Sequence, residues 1–125
     1  MNALTMIRTA VALLAIGALG GLVMAAIRLS KNLNPPTGLA MLHGILAAAG
    51  ATLLLYAAVT MGIPAIAQVG LVLLLIAAVG GVVLNLKYQW ERVLIPRGFM
   101  VGHAVLAAIG FVLVFLAAWS GHSAH

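Results

Sequence analysis

The sequence predicts an all-α membrane protein. Four transmembrane helices form a four-helix bundle, built from two tandem, parallel helical-hairpin repeats in one domain over residues 1–125. Three observations predict this. The chain is 66% hydrophobic and 6% charged, which excludes an ordinary soluble core. Its uncharged runs are long enough to cross hydrocarbon roughly 30 Å thick, which takes about 20 residues. Its second half also repeats its first at an offset of 60 residues: Pro36, Gly38, His43, Leu46, Ala47, Ala48, Gly50, Leu53, Ala57 and Ala58 recur as Pro96, Gly98, His103, Leu106, Ala107, Ala108, Gly110, Leu113, Ala117 and Ala118, ten identities in 23 positions.

The first span covers about Thr9–Ile27. Arg8 followed by an apolar run that ends in small residues imitates a cleaved signal peptide. The repeat argues for a retained helix, because Leu13, Leu14, Ile16, Ala18, Gly20, Gly21 and Val23 match Leu73, Leu74, Ile76, Ala78, Gly80, Gly81 and Val83. The second span, about Gly38–Met61, follows Pro35 and Pro36. The third, about Ala65–Leu86, follows Pro64, and the fourth, about Gly98–Trp119, follows Pro96; proline suits a helix start or the loop before it. Repeat 1 therefore occupies about 9–61 and repeat 2 about 65–119, with 120–125 as a short tail.

Net charge is +5, and its placement reads as membrane topology rather than nucleic-acid binding. Arg28 and Lys31 lie in the first connection, and Lys87, Arg92 and Arg97 in the third, whereas the second, around Gly62–Gln68, carries no charge. The positive-inside rule places connections one and three in the cytoplasm and both termini outside, as in a bacterial-type inner membrane. Arg8 opposes this and is outnumbered. Trp90 and Trp119 fall in opposite interfacial zones. Absence of cysteine removes disulfides, thiolate metal sites and iron–sulfur clusters.

The candidate site is the histidine pair. His43 lies about six residues into its span, or roughly 9 Å at about 1.5 Å per residue, and His103 lies at the matching depth. Ionisable groups within a membrane face the protein interior and need partners. One reading is a packing histidine bonded to a neighbouring helix. The other is a shared ligand, favoured by two imidazoles at one depth. His43, Ala47 and Gly50 share a helix face, as do His103, Ala107 and Gly110, so each histidine stands above a strip of small residues where a flat group can lie. Gly20, Gly21, Gly80 and Gly81 reach the same layer from the odd-numbered spans. Small residues also serve close helix packing, so packing and a cavity read alike here.

Zinc usually takes four ligands, and the spans hold no carboxylate or thiolate; Glu91, the only acid, belongs to the third connection. Haem brings four nitrogens of its own and needs only axial ligands. Its propionates seek cations, which Arg28 and Arg97 offer at the nearer rim, beside Lys31, Lys87 and Arg92. The economical expectation is one bis-histidine haem b, with His43 and His103 as its metal ligands.

This pattern resembles the membrane b-type cytochromes, the cytochrome b561 group in particular. There haem lies between transmembrane helices and histidines of the second and fourth core helices pair. The matching motif is glycine, four residues, histidine, then small residues. The chain departs from that group in having two intramembrane histidines where those proteins have four. The resemblance implies electron transfer through one haem, with a quinone or a larger redox complex as partner. A second expectation is a cofactor-free accessory or scaffolding subunit of a membrane complex, and a third is a small transporter, for which the spans offer no acid. Histidine pairing across a homodimer is the alternative to pairing within one chain. His122 and His125 form a weak metal-binding pattern in the tail. Met24 reads as packing and Tyr56 as an interfacial residue.

Overall fold

The computed structural model describes residues 2–120, so the tail with His122 and His125 lies outside the described residues. Four helices follow in order: α1 (Ala3–Lys31), α2 (Thr37–Thr60), α3 (Ala65–Val83) and α4 (Arg97–Trp119). A π-helical segment, Leu84–Gln89, prolongs α3. All four are long and apolar enough to cross a bilayer, and the chain is a multi-pass membrane protein.

Each helix start has a local cause. The Asn2 side chain accepts the Thr5 amide at 2.8 Å and so caps α1. Pro36, Pro64 and Pro96 immediately precede α2, α3 and α4, where a missing N–H costs nothing. Asn32 closes α1 in the left-handed region at φ 53°, and Arg92, 60 residues later, adopts the same region at φ 58° in the turn that follows the π-helical segment. The repeat thus extends into the loops.

Helix α1 packs along α2 and α3 along α4, and the two hairpins meet through α1–α4 and α2–α3. Helices α2 and α4 therefore face each other across the bundle. The apolar core lies toward the end that holds both described termini and the uncharged connection. It comprises Met6, Ile7, Ala10, Val11 and Leu14 of α1, Leu54 and Ala57 of α2, Ala67, Leu71 and Leu74 of α3, and Val114, Ala117 and Ala118 of α4. Outward-facing side chains such as Leu22 and Val59 are 66% and 73% exposed, as a lipid-facing surface requires.

Glycine makes the closest approaches in this core. A Cβ on Gly70 would stand 2.7 Å from Val114 Cγ2 and 2.8 Å from the Gly110 carbonyl oxygen. On Gly110 it would meet the Gly70 oxygen at 2.9 Å, and on Gly50 it would meet Leu14 Cγ at 2.7 Å. Such small-residue contacts let helices approach closely where lipid gives no hydrophobic drive.

Gly70→Ala should destabilise the bundle by about 1–3 kcal/mol through overpacking against backbone. Gly44→Ala, whose Cβ meets nothing within 4 Å, should change stability by less than about 1 kcal/mol. Reversible unfolding in mixed micelles measures both, and equal effects would contradict the packing described.

Candidate functional site

Both histidines lie in the half of the bundle beyond this core, toward the cationic connections, and both are half-buried. Each is engaged by its own hairpin. His43 Nδ1 is 2.7 Å from the Gly17 carbonyl oxygen of α1, and His103 Nδ1 is 2.8 Å from the Ala77 carbonyl oxygen of α3. The acceptors are themselves 60 residues apart. A carbonyl oxygen only accepts, so Nδ1 carries the proton and donates it. In the neutral ring the remaining lone pair then sits on Nε2, the tautomer a metal-binding imidazole uses.

The glycine pairs acquire a specific reason here. A Cβ on Gly21 would stand 3.0 Å from His43 Cε1 and 3.3 Å from Nδ1, and one on Gly81 would stand 3.1 Å from His103 Cε1. Gly17 and Gly21, like Ala77 and Gly81, are one turn apart. The missing side chain at the later position lets the imidazole lie on the helix and reach the carbonyl one turn back. Gly20 and Gly80 are less constrained, since their nearest contacts would be 3.8 Å and 3.7 Å.

The two rings meet across the diagonal. Their centroids are 6.3 Å apart and their planes are inclined at 80°. Imidazole nitrogen bonds a metal at about 2.0–2.1 Å, and a ring nitrogen lies about 1.1 Å from its ring centre. Two imidazoles on opposite sides of one metal therefore have centroids about 6 Å apart, which this pair satisfies. No cluster of three or more His, Cys, Asp or Glu exists among the described residues, so a metal needing a full protein ligand set is not served. A macrocycle that supplies its own equatorial nitrogens needs only this pair.

The structure thus brings together His43, His103, Gly21 and Gly81, with Gly20 and Gly80 beside them. Ala47 and Ala107, one turn further along, are half-buried. Gly50 and Gly110 differ from expectation. They do not continue an open strip below the histidines, because two helical turns carry them into the tight core, where Leu14 and Leu74 fill the space.

The two arginines also separate. Arg97 begins α4 and is exposed, at the rim six residues before His103. Arg28 is 4% exposed, and its guanidinium points to connection three: Nε donates to the Ile95 carbonyl at 2.8 Å and Nη1 to Asn32 Oδ1 at 3.1 Å. Two of its donors are committed to protein. Beside this seam a groove of about 370 Å³, lined by Asn32, Thr37, Gln89 and Arg92 among others, opens at the rim outside the histidine layer.

Sequence reasoning missed the Gly17 and Ala77 carbonyls, which are backbone groups and carry no residue-type signal. It also missed Asn34 and Gln89, whose polar side chains join the two connections. Comparison with models of protein families, with curated proteins and with solved structures finds no match.

In protein free of metal at neutral pH, side-chain nitrogen shifts in NMR should identify both His43 and His103 as the Nδ1-protonated tautomer. Gly21→Val should remove that signature from His43 and leave His103 unchanged. An Nε2-protonated ring in the wild type would contradict the hydrogen bonds described.

Proposed function

We propose that this chain is an integral membrane b-type haem protein that transfers electrons, with one haem b held between α2 and α4 by His43 and His103. The observation that carries the reading is the histidine pair itself: two proton-fixed imidazoles, with ring centres 6.3 Å apart, facing across a membrane-embedded bundle. Bound haem supplies an iron that exchanges one electron between its ferric and ferrous forms. The protein's part is ligation, orientation and exclusion of water. The Gly17 and Ala77 carbonyls fix both rings, and their hydrogen bonds raise the basicity of the ligating nitrogens. The apolar outer half closes the site from the far side. Arg97, with Lys31, Lys87 and Arg92 at the same rim, provides cations for carboxylate tails.

In this reading the chain resembles the cytochrome b561 group, reduced to a single haem. Its cationic end faces the cytoplasm of a bacterial-type inner membrane and both termini face outward. A single haem on the cytoplasmic side favours exchange with a quinone in the bilayer or with another subunit of a redox complex.

A second reading rests on the same hydrogen bonds. Each histidine already has an acceptor on a neighbouring helix, which satisfies a polar group in an apolar layer without any ligand. The chain would then be a cofactor-free accessory subunit.

Absorption spectra of the purified protein distinguish the two. The haem reading expects a Soret band, a sharp α band on reduction and a pyridine haemochrome of b type. His43→Ala and His103→Ala should each abolish the low-spin spectrum, since each removes one of two axial ligands. A colourless wild type, or low-spin haem surviving both substitutions, sinks the reading.

A further inference from the structure

The two hairpins match closely in the core and the histidine layer, and they differ at the cationic rim. Where repeat 1 has Arg28 and Asn34, repeat 2 has Tyr88 and Leu94. The two polar residues have no counterpart, and both reach across to the other hairpin. Arg28 Nε donates to the Ile95 carbonyl. Asn34 Nδ2 donates to the Val93 carbonyl at 2.8 Å, and the Ile95 amide donates to Asn34 Oδ1 at 2.9 Å. Gln89 adds a bond in the opposite direction, from Nε2 to the Pro35 carbonyl at 2.6 Å.

Three of these bonds converge on Val93–Ile95, the stretch that leads through Pro96 into α4. His103 follows Ile95 by eight residues. At the other end of the bundle Arg8 Nε donates to the Ala118 carbonyl at 3.1 Å, and its guanidinium lies 5.3 Å from the centre of the Trp119 ring. Helix α1 therefore grips α4 near both ends, with arginine donating to a backbone carbonyl each time. The histidine layer lies between these grips. Neither hairpin alone sets the distance between the two imidazoles, because each ring is bonded only within its own hairpin. That distance depends on how hairpin 1 is registered against hairpin 2.

We propose that Arg28 and Asn34 are positioning residues: their bonds to Val93 and Ile95 set the register of α4 and thereby the separation and mutual tilt of His43 and His103. The proposal rests on the haem reading for its functional meaning, but its geometric content does not need haem. Arg28 acts here as a tether between hairpins. The arginine is suited to this because a planar guanidinium donates in two directions at once, to Ile95 and to Asn32.

The chain contains no cysteine, which allows a direct test. Met41→Cys and Val101→Cys place spin labels on exposed positions of α2 and α4, two residues before each histidine. Pulsed electron–electron resonance then measures their separation. Arg28→Met and Asn34→Leu should each widen or shift the distance distribution by about 1.5 Å or more, the rise of one helical residue. Arg28→Lys, which retains one donor toward Ile95, should restore part of the wild-type distribution. Lys31→Met, at an exposed position on the same rim, should leave it unchanged. Distributions identical to wild type in Arg28→Met and Asn34→Leu overturn the proposal. In haem-loaded protein the near-perpendicular rings predict a highly anisotropic ferric low-spin signal, which both substitutions should move toward a rhombic one. Absence of any low-spin signal in the wild type would count against haem, while the label distances still decide the role of Arg28 and Asn34.

Discussion

An imidazole among apolar helices must find a hydrogen-bond acceptor, and here a main-chain carbonyl of the neighbouring helix supplies it. Much of the site follows from that one contact. The carbonyl is already used within its helix, so the ring has to approach a helix surface closely, and a side chain one turn ahead would stand in the way. Gly21 and Gly81 remove that obstacle. Because a carbonyl fixes the proton on Nδ1, the neutral ring keeps its lone pair on Nε2. Under the proposed haem reading, the same hydrogen bond also prepares Nε2 as a metal ligand.

Packing varies along the bundle in a way that suits this. Glycine and alanine bring the helices together at the end with the described termini, where side chains such as Ile7, Leu54 and Val114 are almost fully enclosed. In the histidine half the small residues instead accommodate the rings. The rim beyond is fastened by polar bonds between connections one and three rather than by apolar packing. Cohesion is thus supplied at both ends, and the middle is left to the two rings.

The sequence made the helices and the pairing of hairpins legible because hydropathy and an offset of 60 residues are direct consequences of membrane thickness and duplication. It also singled out His43 and His103, since intramembrane histidine is conspicuous. The purpose of individual small residues was not legible. Gly21 and Gly50 look identical as letters, yet one makes room for an imidazole and the other for Leu14. Distinguishing them requires the rotation of each helix, which a nearly uniform apolar surface does not encode. Arg28 carried a similar ambiguity: its charge suggested an anion, and only tertiary contact reveals a carbonyl of the opposite hairpin. The fastening by Asn34 lay in a loop whose partners are 59 and 61 residues away.

The central claim is that two duplicated histidines within one chain share one metal centre. Anomalous diffraction at the iron edge, from crystals of protein purified with its own cofactor complement, tests this most directly. The account predicts a single iron peak per chain between His43 and His103, about 2.0 Å from Nε2 of each ring. An iron bound elsewhere, an iron joined to one of these histidines and to a second copy of the chain, or no iron at all would contradict it.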